Sequence, residues 1–410
     1  MGLNETPSGE RVHIGFFGLR NAGKSSVVNA VTGQELCVVS DVRGTTTDPV
    51  KKAMELLPLG PVVIIDTPGI DDQGELGEKR VARARRTLTG CDVSVLVVDG
   101  TVGLMAPDRE LIRQFEARQM PYLIAWNKCD RDAALANLDD LCAKDAELKG
   151  HVQAVSALDG RGIGELKERL AHMAKSDARE RRVVADLVDA GSTVVLVCPI
   201  DASAPKGRLI LPQQLVIRDL LDAGCIPIVC RETELAGALD ALAEPPALVV
   251  TDSQVFEYVA RTVPGTVPLT SFSILMLRYK GDLVEAVRGA AALDGLRDGD
   301  RVLIAEGCTH HRQCEDIGTV KMPRWLAEHT GAGLSFEFSS GTGFPEGLES
   351  FAAIVHCGGC MLNAREMRSR QVRAAEAGVP MTNYGVAIAH MHGILRRSLA
   401  PFPEALAALG

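Results

Sequence analysis

Two sets of residues in this 410-residue chain have types and spacings that could do chemistry. The first is Gly18-Leu-Arg-Asn-Ala-Gly-Lys-Ser25, which fits G-x-x-x-x-G-K-[ST]. Such a segment closes backbone N–H groups around phosphates; Gly18, Asn21, Ala22, Gly23 and Ser26 line the cradle, Lys24 reaches the outer phosphates and the Ser25 hydroxyl can ligate Mg2+. Further on, Asp66-Thr67-Pro68-Gly69 puts a carboxylate at a strand end for the same Mg2+ and a pliable glycine backbone beside the last phosphate. The second set is Cys308-Thr-His310-His311-Arg-Gln-Cys314 together with His356-Cys357-Gly-Gly-Cys360. The two glycines let Cys357 and Cys360 turn both sulfurs to one centre, and Cys308 makes a third thiolate. Zinc and an iron-sulfur cluster both suit such a set, and the ligand chemistry leaves the choice open.

Both sets need strands to place them. From residue 11 onward, apolar runs at 13–17, 62–65, 93–98, 122–126 and 152–155 alternate with helical or loop stretches. That rhythm predicts a doubly wound, mostly parallel α/β sheet. The charged stretch 175–182 reads as a linker. Beyond it, buried-strand runs at 193–198, 226–230 and 247–251 predict a second, smaller α/β unit, and runs at 302–305 and 352–355 a third. The expected domains are 1–174, 183–262 and 265–410. Each cysteine motif follows one of the last two runs, so parallel pairing would bring both to one sheet edge.

Asn127-Lys128-Cys-Asp130 follows the run 122–126, and here the chain resembles the GTPase superfamily, whose guanine-reading motif is N-K-x-D. The resemblance implies that Asp130 accepts from guanine N1 and the exocyclic amine, and that Ser156-Ala157-Leu158 supplies the backbone N–H facing O6. Gly44-Thr-Thr-Thr-Asp48 and Asn21 resemble the TrmE/Era branch, over residues 11–172. In that branch Asn21 helps hold K+ against a loop that here includes Ser40 and Thr45, and Thr46 completes the Mg2+ shell. Lys24, Asn21, Thr46, Asp66 and Gly69 would then carry catalysis. Ile70 stands where Ras-like enzymes carry a water-orienting glutamine, so hydrolysis is expected to be slow and potassium-stimulated.

A TrmE/Era-like GTPase joined to C-x-H, a gap of 45 residues and H-C-x-x-C resembles the FeFe-hydrogenase maturation GTPases, the HydF family, over the whole chain. The resemblance implies a GTPase domain, a middle dimerisation domain and a cluster domain. It also implies a 4Fe-4S cluster on Cys308, Cys357 and Cys360 with an exchangeable fourth site, and a diiron precursor as cargo. Radical-SAM maturation proteins would supply that cargo and apo FeFe-hydrogenase would receive it. His310 and His356 fall on the motif's histidines; each could ligate iron or support a ligand through hydrogen bonds, and Glu306 is a further candidate for the fourth position.

Composition bounds the alternatives. Hydrophobic residues at 46% and charged residues at 24% suit a globular chain. No apolar run nears the roughly 20 residues that cross a bilayer, and residues 1–10 lack a secretory layout, so a soluble cytoplasmic protein without membrane contact is expected. A net charge of -9 and no long basic block argue against nucleic-acid binding. An Era-like RNA- or ribosome-associated GTPase with structural zinc is the alternative reading, and a metalloenzyme with a regulatory GTPase is a third. Cys37, Cys91, Cys129, Cys142, Cys198, Cys225 and Cys230 read as core thiols, Cys314 as a non-ligand, and the basic residues at 80–86 as an exposed helix face. His390 and His392 have no cysteine nearby and read as structural.

Overall fold

The computed structural model describes residues 6–35, 50–67, 87–178, 182–200, 209–307, 316–341 and 343–410. The chain divides into two compact units, Met1–Glu180 and Arg181–Gly410.

In the first unit, β1 (Val12–Gly18), β2 (Val50–Leu56), β3 (Gly60–Asp66), β4 (Val93–Asp99), β5 (Tyr122–Asn127) and β6 (Val152–Ala154) form one sheet in the order β2-β3-β1-β4-β5-β6. β2 is antiparallel to β3 and the remaining pairs are parallel. Alternation along the strands feeds two cores, as a doubly wound sheet requires. Ile14, Phe16, Val62, Ile64, Val95 and Leu123 pack on one face with Val27 and Leu170. Phe17, Val63, Ile65, Leu96, Ile124 and Trp126 pack on the other with Leu111 and Phe115. The five apolar runs read from the sequence coincide with β1, β3, β4, β5 and β6. β2 lay outside that reading because Val50-Lys-Lys-Ala-Met-Glu-Leu56 carries three charges in seven residues, a half-wet antiparallel edge rather than a buried run.

In the second unit, β7 (Thr193–Val197), β8 (Ile226–Cys230), β9 (Leu248–Thr251) and β10 (Leu269–Ser271) form a parallel sheet in the order β10-β9-β7-β8. Then β11 (Arg301–Ala305), β12 (Ser335–Ser339), β13 (Ala353–His356) and β14 (Met381–Asn383) form another, in the order β12-β11-β13-β14. The boundary expected at 262–265 falls inside the first of these sheets, because β10 pairs with β9 beyond it. One apolar core serves both sheets: Val195, Leu196 and Val250 belong to the same cluster as Leu303, Ala305 and Ile354, with the helices Phe272–Lys280 and Leu283–Ala291 contributing to it. The two sheets therefore sit within one compact unit. A separate apolar cluster, with Val302, Val355, Met322, Leu326 and Ile388, covers the far face of the last sheet.

Within that unit the helix Leu283–Ala291 lies directly on β14. A Cβ at Gly289 would stand 2.2 Å from the Met381 carbonyl oxygen and 2.5 Å from its carbon, both backbone atoms. Gly289→Ala should therefore lower stability by about 1–3 kcal/mol through overpacking, against an opposing gain of about 1 kcal/mol in helix propensity. A urea midpoint that falls with an unchanged slope would bear this out.

Candidate functional site

The phosphate-loop residues are carried from β1 into the helix Lys24–Thr32. Gly23 sits at that helix's N-cap with φ +85°, and a Cβ there would stand 2.3 Å from Asn127 Nδ2, so the close approach of the two loops requires glycine. Asn21 also takes a left-handed φ of 63°, which asparagine tolerates, and its side chain is exposed. Lys24 forms an ion pair with Asp66, and the Ser25 hydroxyl lies 3.5 Å from the other Asp66 oxygen. The register Phe16↔Asp66 explains the meeting: β3 ends beside the last residues of β1, so the carboxylate comes next to the start of the helix. Thr67 is buried, its hydroxyl donating to Phe16 O at 2.7 Å. Ala22 is buried and Ser26 half-buried. Ser40, Thr45, Thr46, Pro68, Gly69 and Ile70 lie outside the described residues, as do Cys37 and residues 80–86.

The two later motifs meet the phosphate loop through a buried amide. Asn127 Nδ2 donates to Ala22 O at 3.0 Å, while its Oδ1 accepts from Ala157 N at 3.1 Å. Lys128, with φ 66°, donates to Asn21 O at 3.1 Å and pairs with Asp99. Burial acts to raise the Asp99 carboxyl, but hydrogen bonds from Lys128 and Thr101 outweigh it and leave the group below the ordinary carboxylate range. Ser156 donates to Asp130 Oδ1 at 3.0 Å, aligning the carboxylate. Leu158 projects into solvent, 86% exposed. Among the nucleotide residues read from the sequence, the described ones thus converge on one sheet edge. Asp99 was missed; its place opposite Asn127 in the register of β4 and β5 was not visible without the pairing.

The cysteine loop is built at the matching edge of the last sheet. Ala305, His356 and Asn383 are register partners, so Glu306, Cys357 and Tyr384 leave β11, β13 and β14 side by side. Backbone N–H groups of Gly307 and Gly359 point at Cys357 Sγ, at 3.1 and 3.4 Å, a donor pair suited to a thiolate or a metal-bound sulfur. Burial pushes the Cys360 thiol up, with the neighbouring Cys357 adding to the shift and Lys280 opposing it. Lys280 is buried and donates to Cys360 O at 3.1 Å and Leu362 O at 2.8 Å, fixing the loop from the helix Phe272–Lys280. This loop fits a cysteine-ligated centre. Cys308, His310, His311 and Cys314 lie outside the described residues.

His356 is fully buried and both its ring nitrogens are engaged. Nδ1 lies 2.7 Å from Cys357 O and Nε2 lies 2.9 Å from Arg370 Nη1. A carbonyl only accepts and a guanidinium only donates, so Nδ1 carries the proton, Nε2 accepts, and neither is open to a metal in this arrangement. The direct ligation expected as one role for His356 therefore does not match the geometry. Arg370 also binds Glu366 and Gly341 O and stacks over Phe344. Glu306 accepts from Tyr384 OH at 3.2 Å, beside the loop. Lys280, Arg370 and Tyr384 were absent from the sequence reading; an arginine four residues after a glutamate on a polar helix was the one available signal. Cys91, Cys129, Cys198 and Cys225 are buried thiols, in keeping with the core reading, whereas Cys142 and Cys230 are only half-buried.

Strand order, the Lys-Ser helix start and the Asn127 contacts define a P-loop GTPase domain followed by further α/β sheets. Residues 13–128 match the family model of a 50S ribosome-binding GTPase, residues 183–281 that of the hydrogen maturase F dimerization domain and residues 284–401 that of its tetramerization domain. The chain belongs to the hydrogen maturase F (HydF) family. Among curated relatives, GTPase Der of Maridesulfovibrio salexigens is 37% identical over 131 residues, covering 31% of this chain and 29% of that protein. The tRNA modification GTPase MnmE of Laribacter hongkongensis is 32% identical over 163 residues, 39% of this chain and 34% of that one. The chain thus spans about a third of the length of the curated relatives it matches. The crystal structure of Aquifex aeolicus Era bound to GDP.AlF4- aligns at 17% identity and a TM-score of 0.36, covering 83% of this chain and 97% of that one. Among the described residues no helix is long and apolar enough to cross a membrane.

Asn127→Ala removes the amide that ties the phosphate loop to the Ala157 loop and leaves the buried Ala22 carbonyl and the half-buried Ala157 N–H without it. Thermal unfolding of the nucleotide-free protein should show a loss of about 1–3 kcal/mol in the N-terminal unit. Leu158→Ala, at an exposed position, is the control and should stay within about 0.5 kcal/mol of the parent.

Proposed function

We propose that this chain is a GTP-hydrolysing scaffold and carrier for assembly of the diiron subcluster of FeFe-hydrogenase. The observation that carries the reading is the cysteine loop at the edge of β13, where two backbone N–H groups converge on Cys357 Sγ in a chain of the hydrogen maturase F family. Cys308, Cys357 and Cys360 hold a 4Fe-4S cluster with an exchangeable fourth position, near which Glu306 and His310 are the candidate ligands. The cluster supplies that open iron site to the diiron precursor. His356 positions Cys357 through its carbonyl rather than ligating. Radical-SAM maturation proteins deliver the cargo and apo-hydrogenase receives it, in the cytoplasm. The names of the matching models support an assembly larger than a monomer, through 183–281 and 284–401.

GTP hydrolysis belongs to the N-terminal domain. Gly18, Asn21, Ala22, Gly23, Lys24, Ser25 and Ser26 cradle the phosphates, and Ser25 and Thr46 hold Mg2+ with Asp66 nearby. Thr67, Pro68 and Gly69 follow the last phosphate. Asn127, Lys128, Asp130, Ser156, Ala157 and Leu158 frame guanine, with Asp130 reading N1 and the exocyclic amine. Asn21, Ser40 and Thr45 hold K+, which supplies the positive charge otherwise given by an arginine finger. Its exposed side chain beside the cradle supports that role for Asn21.

Two measurements test this. Anaerobic reconstitution with iron and sulfide should give a reduced cubane EPR signal that Cys357→Ala abolishes; stoichiometric zinc without a cluster would instead favour an Era-like, RNA-associated GTPase with a structural zinc. Turnover should rise on the order of tenfold from sodium to potassium, well short of the roughly 10³–10⁵ that an arginine finger contributes. Equal rates in both salts would remove the potassium site.

A further inference from the structure

At the opposite edge of the last sheet a second donor set comes together. Asp294 lies in the turn Ala292–Gly295 before β11, His329 in the last turn of the helix Met322–Thr330, and His390 near the end of the helix Tyr384–Met391. In a parallel sheet the helices run back against the strands, so a turn that precedes β11 and the C-terminal turns of helices that follow β11 and β14 all gather at the amino edge. Cys357 leaves the carboxyl edge. The two sets are therefore separate.

The Nε2 atoms of His329 and His390 each lie 2.8 Å from the same oxygen, Asp294 Oδ1. All three donor atoms fall within 4.8 Å of one another, and the two rings meet edge to face with centroids 5.6 Å apart. A metal bound at about 2.0–2.2 Å sets its ligand atoms roughly 2.8–3.6 Å apart for bond angles between 90° and tetrahedral. Two of the three edges are within a few tenths of an ångström of that range already. The supports are rigid: Leu293, Leu326 and Ile388, on the same three elements, pack into one apolar cluster against β11 and β13. The imidazoles are mostly covered, 25% and 15% exposed, whereas Asp294 at 56% leaves a way in from solvent.

We infer that Asp294, His329 and His390 form a binding site for one divalent transition-metal ion of the zinc class, distinct from the cysteine centre. Two imidazoles and one carboxylate are borderline donors; they favour Zn2+, Co2+ or Ni2+ over Mg2+ and Ca2+, which prefer oxygen alone. Binding replaces the two Nε2–H donations to Asp294 Oδ1 with bonds to the metal; each displaced proton passes through water to the ring's own Nδ1, or to solvent where Nδ1 already carries one, and water completes the coordination. The ion clamps three elements that are distant in sequence. His390, which reads as structural in the sequence, gains its partners from residues 294 and 329. This site stands whether or not the cysteine loop carries a cluster.

The test is zinc uptake by the full chain, measured by equilibrium dialysis, in the parent and in His329→Ala and His390→Ala. The parent should hold one zinc more than either variant, or bind that zinc at least tenfold more tightly; zinc on the cysteines is common to all three and cancels. Cobalt should give the parent a d–d absorption component without a thiolate charge-transfer band, lost in both variants. As a check that does not depend on removing a ring, zinc should raise the unfolding midpoint of the parent more than that of Asp294→Asn. Equal stoichiometry and affinity in the parent and both histidine variants would overturn the site and leave two histidines hydrogen-bonded to a carboxylate.

Discussion

A parallel strand cannot hand its chain to its neighbour through a tight turn; the chain must cross back over the sheet, and every crossover starts from the same edge. The two sheets of the second unit are parallel throughout, and β1, β3, β4, β5 and β6 are so in the first. Backbone at such an edge leaves the ladder with unpaired groups, which loops, helix starts and ligands then satisfy. Gly18, Asp66, Asp99 and Asn127 close four neighbouring strands in the first unit, and Glu306, Cys357 and Tyr384 follow three neighbouring strands in the second. The phosphate loop and the cysteine loop are two uses of one topological constraint.

Holding those loops falls to buried polar side chains. Asn127 spans two loops with one amide, Lys280 holds two carbonyls of the Cys360 turn, and Arg370 holds His356. A buried ammonium or guanidinium is costly unless its donors are met, and each carbonyl left unmet inside would cost about 1–3 kcal/mol. Such groups are tolerated because they specify one loop conformation. Lys280 has a further consequence. It sits on the helix that follows β10, so the sheet containing β7 to β10 supplies a positive charge directly beneath the cysteine loop of the other sheet. The shared apolar core and this contact together make one compact unit of two sheets.

The legible part of the sequence was whatever repeats or is spaced by chemistry. Near-continuous apolar runs marked β1, β3, β4, β5 and β7, because strands buried on both faces leave few polar residues in the pattern. β2 and β12 escaped for the opposite reason: with one face wet, Val50–Leu56 and Ser335–Ser339 mix charges or hydroxyls into the strand. β14 escaped because three residues, Met381–Asn383, give no period at all. In the site, the motifs named the residues that touch a ligand but not those that hold them. Nothing near Lys280 in the chain hints at Cys360, eighty residues on.

His356 shows how far a motif can mislead about role. Its position beside Cys357 invites ligation, yet a ring that donates to one neighbour and accepts from a guanidinium has no nitrogen left. Freeing Nε2 would strand a buried Arg370 donor, which makes the exchange unfavourable beyond the loss of one hydrogen bond. Asp294 offers His329 and His390 the reverse environment. There both Nε2 atoms donate to an anion that is partly open to solvent, so a cation can take the place of the two donated protons without stranding a buried cationic donor such as Arg370. The sulfur set suits soft iron-sulfur chemistry or zinc and the nitrogen-oxygen set a borderline divalent ion, so one small sheet can hold the two apart at its opposite edges by donor type alone.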